Sequence, residues 1–144
     1  MFKSNFTAQT IVAAPLEEVW EFFQNPKALE SLTTFPQVLV ISPSKTEEGA
    51  LITLEIQSGF FSLEWTSRIT EVKELSRFVD EGLNIPFPFI SWKHEHSFQD
   101  FGDFTGIADS VTFSSYLPAF LIKLGLKRMF RDRGIAVKKH FSIK

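Results

Sequence analysis

The sequence predicts an α+β fold in which seven antiparallel strands combine with a pair of short helices after the first strand and a long C-terminal helix. Three observations carry that prediction. Short β-branched or aromatic segments succeed one another between residues 37 and 115, leaving no room for crossover helices between parallel strands. Helical signals are confined to residues 15–32 and to the stretch after Pro118. The 144 residues hold no repeat, linker or low-complexity segment, so residues 1–144 are expected to form one domain.

Taken in order, residues 2–12 (FKSNFTAQTIV) alternate Phe2, Ser4, Phe6 and Ala8 with Lys3, Asn5, Thr7 and Gln9, as a strand does. AAPLEEVWEFFQNP then opens a helix. Pro15 suits the first helical position, Glu17 and Glu18 fall where the helix dipole favours acids, and Leu16, Val19, Trp20 and Phe23 share one face. Asn25-Pro26 ends that helix, and Pro26 can open a second short one through Leu29 and Leu32. QVLVIS, ALITLEIQS, FSLEWTSRITEV and SRFVDEGL read as four strands, divided by turn signals such as Glu48-Gly49 and Ser58-Gly59. NIPFPF interrupts pairing, because its prolines cannot donate to a ladder. Two more strands follow near 91–99 and 106–115, joined by DFGDFT. The closing helix has Phe120, Leu124, Leu126, Met129, Phe130, Val137 and Phe141 as its apolar side, with Lys127, Arg128, Arg131, Lys138 and Lys139 opposite. Gly125 and Gly134 each weaken it by about 1 kcal/mol.

Composition narrows the function. The absence of cysteine excludes disulfides, thiolate zinc sites and a cysteine nucleophile. No apolar run reaches the length of about 18 residues that spans a membrane, and MFKSNFTAQT lacks a secretory pattern, so a cytoplasmic location is expected. Phe supplies 17 of 21 aromatics, which suits a dry core and equally a cavity for an apolar ligand. Residues 1–122 carry a balance of −9 and residues 123–144 one of +7, which the overall −2 conceals. A basic end can attract anionic lipid or nucleic acid. With no nucleic-acid motif, one Tyr and an acidic remainder, no nucleic-acid partner is expected. There is also no Gly-rich phosphate loop, no H-E-x-x-H and no G-x-S-x-G.

The segment WKHEHSFQDFGDFTGIADSV carries the chemistry. On a strand, Trp92, His94, His96 and Phe98 point one way, and Lys93, Glu95, Ser97 and Gln99 the other. Ile107, Asp109, Val111 and Phe113 form the matching inward set on the next strand. A hairpin centred near Gly102 and Asp103 puts His96 opposite Asp109 and His94 opposite Val111, close enough for an imidazole–carboxylate bond between His96 and Asp109. An inward carboxylate needs such a partner. The pair can be a satisfied structural contact, a polar anchor for a ligand in an apolar cavity, or an acid–base couple with His96 and Asp109 as the catalytic candidates. Metal binding is the least favoured reading, since Asp109 is already engaged by His96 and His140 lies on the last helix. No metal and no other cofactor is expected.

The opening IVAAPLEEVWEFFQNPKALESL, together with PFPFISWKHEHSF, the later IADSVTF and MFRDR, resembles a bacterial branch of the START-like (SRPBCC) superfamily. Relatives of that branch include the birch-pollen allergen and the polyketide cyclases. The resemblance covers essentially the whole chain and rests on a W-x-H-x-H-x-F string. It implies a helix-grip fold, with a curved seven-stranded sheet wrapped around the C-terminal helix and a cavity between them. It further implies binding of a hydrophobic or amphipathic small molecule (lipid-, sterol- or polyketide-like), and no stable membrane insertion. Trp92, His94, His96, Phe98, Asp109 and Val111 stand at the branch's recurring positions, and Phe113 where a Tyr is expected. These, with Trp65 and Phe130, are the expected ligand-binding residues. A cofactor-independent cyclase or dehydratase and a non-catalytic partner or membrane-surface module are the alternatives.

Overall fold

The computed structural model describes residues 1–33, 37–41, 45–58 and 60–142. Within them, β1 (Phe2–Val12) leads into α1 (Leu16–Gln24) and α2 (Ala28–Leu32). Six strands follow: β2 (Gln37–Val40), β3 (Leu51–Ser58), β4 (Phe61–Lys73), β5 (Arg77–Asn84), β6 (Phe89–Asp100) and β7 (Thr105–Ser115), before α3 (Ala119–Ser142). The strands form one antiparallel sheet in the order β1-β7-β6-β5-β4-β3-β2, curved around α3. Gly59 of the expected Ser58-Gly59 turn lies outside the described residues.

Local sequence explains the elements that hold the site. In α1 the buried residues are Leu16, Val19, Trp20 and Phe23, the face set by helical spacing, with Glu17 and Glu18 in the first turn. Pro15 sits one position earlier than expected, at the N-cap, where its carbonyl accepts from Glu18 N and Val19 N. Trp20 meets Phe78 and Phe98 edge-on, with ring centroids 6.1 and 5.3 Å apart, so α1 is keyed to the inner face of β5 and β6. Two buried threonines tie loops to this corner: Thr46 Oγ1 donates to Phe23 O, and Thr105 Oγ1 to Ala14 O.

The β6–β7 hairpin turns at residues 101–104, where Gly102 takes a left-handed φ of 81°. Its register pairs His96 with Asp109 and His94 with Val111, as the sequence predicts. Trp92, His94, His96 and Phe98 are all buried, while Lys93 and Gln99 are exposed. On β7, Ser114 alternates with the inward set yet is buried as well.

Helix α3 runs unbroken through both glycines. Its buried positions are Leu126, Phe130, Arg133, Val137 and Phe141, a stripe that begins later than expected. Phe120 and Leu124, assigned to the apolar side, are both more than 60% exposed. The two glycines differ in kind. A Cβ at Gly134 would stand 2.9 Å from Thr10 Oγ1, so the helix needs that absence of a side chain to approach β1; a Cβ at Gly125 would touch nothing. Gly125→Ala is therefore expected to raise stability by about 1 kcal/mol in urea denaturation. Gly134→Ala should show that gain only when Thr10 is also changed to Ala.

Candidate functional site

Between the concave face of the sheet, α3 and the α1–α2 corner lies a cavity of about 300 Å³. Its wall is mostly apolar, with Ile52, Leu54 and Ile56 from β3, Trp65 from β4, Trp92 from β6, and Leu126, Met129 and Phe130 from α3. Trp65 and Trp92 meet edge-to-face at 5.0 Å, and the Trp65 indole N–H donates to Ser67 Oγ at 2.9 Å, so the Trp65 ring leaves no unmet polar group in the wall.

One sector of that wall is charged. Asp80, His94, His96 and Arg133 line it, and Asp109 backs it. The inward alternation of β6 delivers the two imidazoles, which stack with centroids 3.7 Å apart and planes 27° apart. Phe78 continues the stack on His96 at 4.1 Å, and Phe130 caps His94 edge-on at 5.5 Å. A carboxylate stands at either side of the stacked pair. His94 Nε2 lies 2.8 Å from Asp109 Oδ1, and His96 Nε2 lies 2.9 Å from Asp80 Oδ2. The remaining nitrogens face the opposite acids: His96 Nδ1 is 3.4 Å from Asp109, and His94 Nδ1 is 3.9 Å from Asp80. Each imidazole thus spans both carboxylates.

This corrects the expected pairing. The register is as predicted, but the shorter bond to Asp109 comes from His94, the diagonal neighbour, while His96 turns to Asp80. Cross-strand register fixes which Cβ atoms are close; ring rotation decides which nitrogen reaches which oxygen, and stacking of the two rings sets that rotation here.

Burial and charge compete at Asp80, His96 and Asp109. Burial alone pushes the Asp109 carboxyl up, but the Arg133 charge and the bond from His94 outweigh it and hold the group well below the usual carboxylate range. Asp80 is also drawn down: the His96 bond and the charges of His94, His96 and Arg133 outweigh its burial. At His96 burial wins instead. Burial, reinforced by the charge of His94, depresses it to about 4 against the pull of both acids. Both carboxylates are therefore ionised near neutral pH, and His96 donates as a neutral imidazole.

Sequence reasoning did not find Asp80 or Arg133. A signal existed for each. Asp80 stands two residues after Phe78 on one strand face, and Arg133 is three residues after Phe130 and four before Val137, inside the buried stripe of α3. Of the expected ligand-binding residues, Trp65, Trp92, His94, His96 and Phe130 line the cavity. Phe98, Asp109, Val111 and Phe113 are buried without lining it. His140 is remote in kind as well as place, stacking on Phe22 at 4.3 Å.

Asp80 supplies the third ligand that the case for a metal lacked. One ligand atom from each of Asp80, His94 and His96 lies within 4.8 Å of the others. The observed arrangement suits hydrogen bonding better. Imidazole lone pairs lie in the ring plane, and two stacked rings direct them side by side instead of at a common point. Both Nε2 atoms are already bonded to different acids, and Arg133 adds positive charge beside them.

Comparison in three dimensions finds this architecture in proteins of very different sequence. A START superfamily protein from Mycobacterium smegmatis superposes with a TM-score of 0.78 at 11% identity, over 96% of this chain and 97% of that one. The chain has the helix-grip fold. Major latex-like protein 151 from Panax ginseng shares the helix grip with a TM-score of 0.76 at 10% identity, over 98% and 99% of the two chains. The protein XoxI from Bacillus cereus gives 0.77 at 14%, over 96% and 95%. Identities this low establish the helix grip and leave the function to the site. No family model and no curated protein matches the sequence. Among the described residues, no helix is long and apolar enough to cross a membrane.

Proposed function

We propose that the chain is a single START-like domain, of the bacterial SRPBCC branch that its W-x-H-x-H-x-F string resembles, which binds one hydrophobic or amphipathic small molecule between sheet and α3. The observation that carries this reading is the cavity itself: about 300 Å³ of apolar space with one charged sector. That places it at the small end of ligand sites, which commonly run to about 300–1,000 Å³ and pair an apolar lining with a few fixed polar groups. Burying about 200–300 Å² of apolar ligand surface contributes about 5–7 kcal/mol before association costs. The helix-grip neighbours support a cavity in this position at the level of fold.

Binding is favoured over acid–base catalysis by the bonding of the imidazoles. Each ring has one nitrogen bonded to an acid and the other turned toward the second acid. The Nε2 atoms of His94 and His96 are both engaged by acids, which leaves only the Nδ1 atoms, each beside the second carboxylate, for the proton transfer that general acid–base work requires.

Titration with the neutral dye N-phenyl-1-naphthylamine tests the cavity. One equivalent is expected to bind with enhanced dye emission and quenching of tryptophan, since Trp65 and Trp92 form part of the wall. Ile56→Trp fills the space from β3 and should weaken the dye by about tenfold or more, with thermal stability little changed. Equal affinity in that variant would place the dye elsewhere and remove the proposal.

A further inference from the structure

We infer that Arg133 is the head-group anchor of this cavity and that its ligand is a compact apolar monocarboxylic acid. The inference rests on the binding reading above and names the ligand class. Arg133 is 93% buried, as its relative exposure of 7% shows, and it lines the cavity from the centre of α3. Its guanidinium carbon lies 6.0 Å from the Phe23 ring centroid and 5.6 Å from that of Phe130. Those rings offset the cost of burying a cation, because an aromatic face attracts positive charge. They do nothing for its five N–H donors.

Among the described residues no oxygen accepts a hydrogen bond from Arg133 and no acid forms an ion pair with it. Asp109 is committed to His94 and Asp80 to His96. The two acids feel the Arg133 charge without contacting it. The unmet demand in the wall is thus for an acceptor. Arg133 lines the cavity, so donors without a protein acceptor are open to the oxygen atoms of a ligand there. A guanidinium edge matches a carboxylate in a two-bond fork, the strongest neutral-pH complement to it.

Charge limits the head group further. The sector holds two ionised acids, Asp80 from β5 and Asp109 from β7, beside the imidazoles of β6 and the single arginine of α3. A monoanion meets less repulsion there than a phosphate monoester with nearly two charges. An ammonium head would find both acids already bonded and a guanidinium in its way. Apolar surface at Leu126, Met129 and Phe130, one to two turns before Arg133 on the same helix, gives the ligand tail its place.

Competition against the bound dye at pH 7.5, with octanoate, octanol and octylammonium, tests this. Octanoate should displace the dye at about tenfold or more lower concentration than either analogue. Arg133→Met, which keeps helix propensity and apolar volume, should abolish that preference and leave octanol within about twofold. Arg133→Lys keeps the charge without the fork, so it should retain a reduced preference, and it serves if the Met variant unfolds. Equal displacement by the three, preference for octylammonium, or an octanoate preference that survives Arg133→Met would overturn the assignment while the dye result keeps the cavity as a binding site. Failure of the dye and all three ligands to bind would remove both.

Discussion

The free energy of unfolding is expected to fall by roughly 3 kcal/mol as the pH is lowered from 7 to 4, with most of the loss assigned to His96. In the unfolded chain this imidazole takes up a proton near 6.5; in the folded protein, burial and the charge of His94 hold it to about 4. Between those values the unfolded state binds more protons, so acid favours unfolding. The contribution is complete above 6.5 and lost as the pH falls toward 4, at about 1.4 kcal/mol per pH unit. Asp80 and Asp109 act in the same direction but lower down, because their pKa values are depressed and their unfolded counterparts titrate near 3.8. The two windows therefore separate. Urea denaturation at half-unit pH steps reads the slope directly. His96→Gln keeps an amide donor for Asp80 and removes the His96 titration, so its curve should be markedly shallower than that of the wild type between pH 6.5 and 4.5. A wild-type slope that persists unchanged in this variant would assign the effect elsewhere.

How far the cluster was legible in the sequence follows from which contacts are local. The β6–β7 register is set by a short turn with Gly102 at its bend, so His96 could be placed opposite Asp109 by counting from the tip. The face of α1 was legible for the same reason, since helical spacing needs no partner. The β5–β6 register was not. Those strands pair only over Arg77–Glu81 and Lys93–Ser97, beyond a connection that contains two prolines, and no turn fixes which residue meets His94. The partner is Asp80. Arg133 was obscured by its own chemistry: spacing puts it in the buried stripe of α3, but an arginine on a basic helix is ordinarily assigned to solvent. The exposed Phe120 and Leu124 are the converse case, where composition indicated burial and the stripe begins only at Leu126.

Asp109→Ala is expected to be the most damaging single change, costing about 3–5 kcal/mol of stability. Asp109 accepts from His94 at 2.8 Å, faces His96 Nδ1 at 3.4 Å and offsets the buried charge of Arg133. Removing it strands a buried donor and leaves Asp80 as the one described acid facing that cation. Asp109→Asn should cost less, because its amide oxygen still accepts from His94. The double change His94→Leu with Asp109→Leu should regain the part of the loss that comes from the stranded His94 donor, since apolar side chains of suitable volume can replace a buried hydrogen-bonded pair at little cost while Asp80 and His96 stay bonded. A loss below about 1 kcal/mol for Asp109→Ala would show that the network does not hold the sheet. Recovery in the double variant bears on function as well. If leucines serve the fold as well as His94 and Asp109 do, then stability alone does not account for charged groups at the cavity, and the loss to be sought in that variant is one of ligand orientation or selectivity. Additive losses from the two leucines would instead tie the polar pair to the integrity of β6 and β7, leaving Arg133 as the residue through which ligand chemistry should be tested.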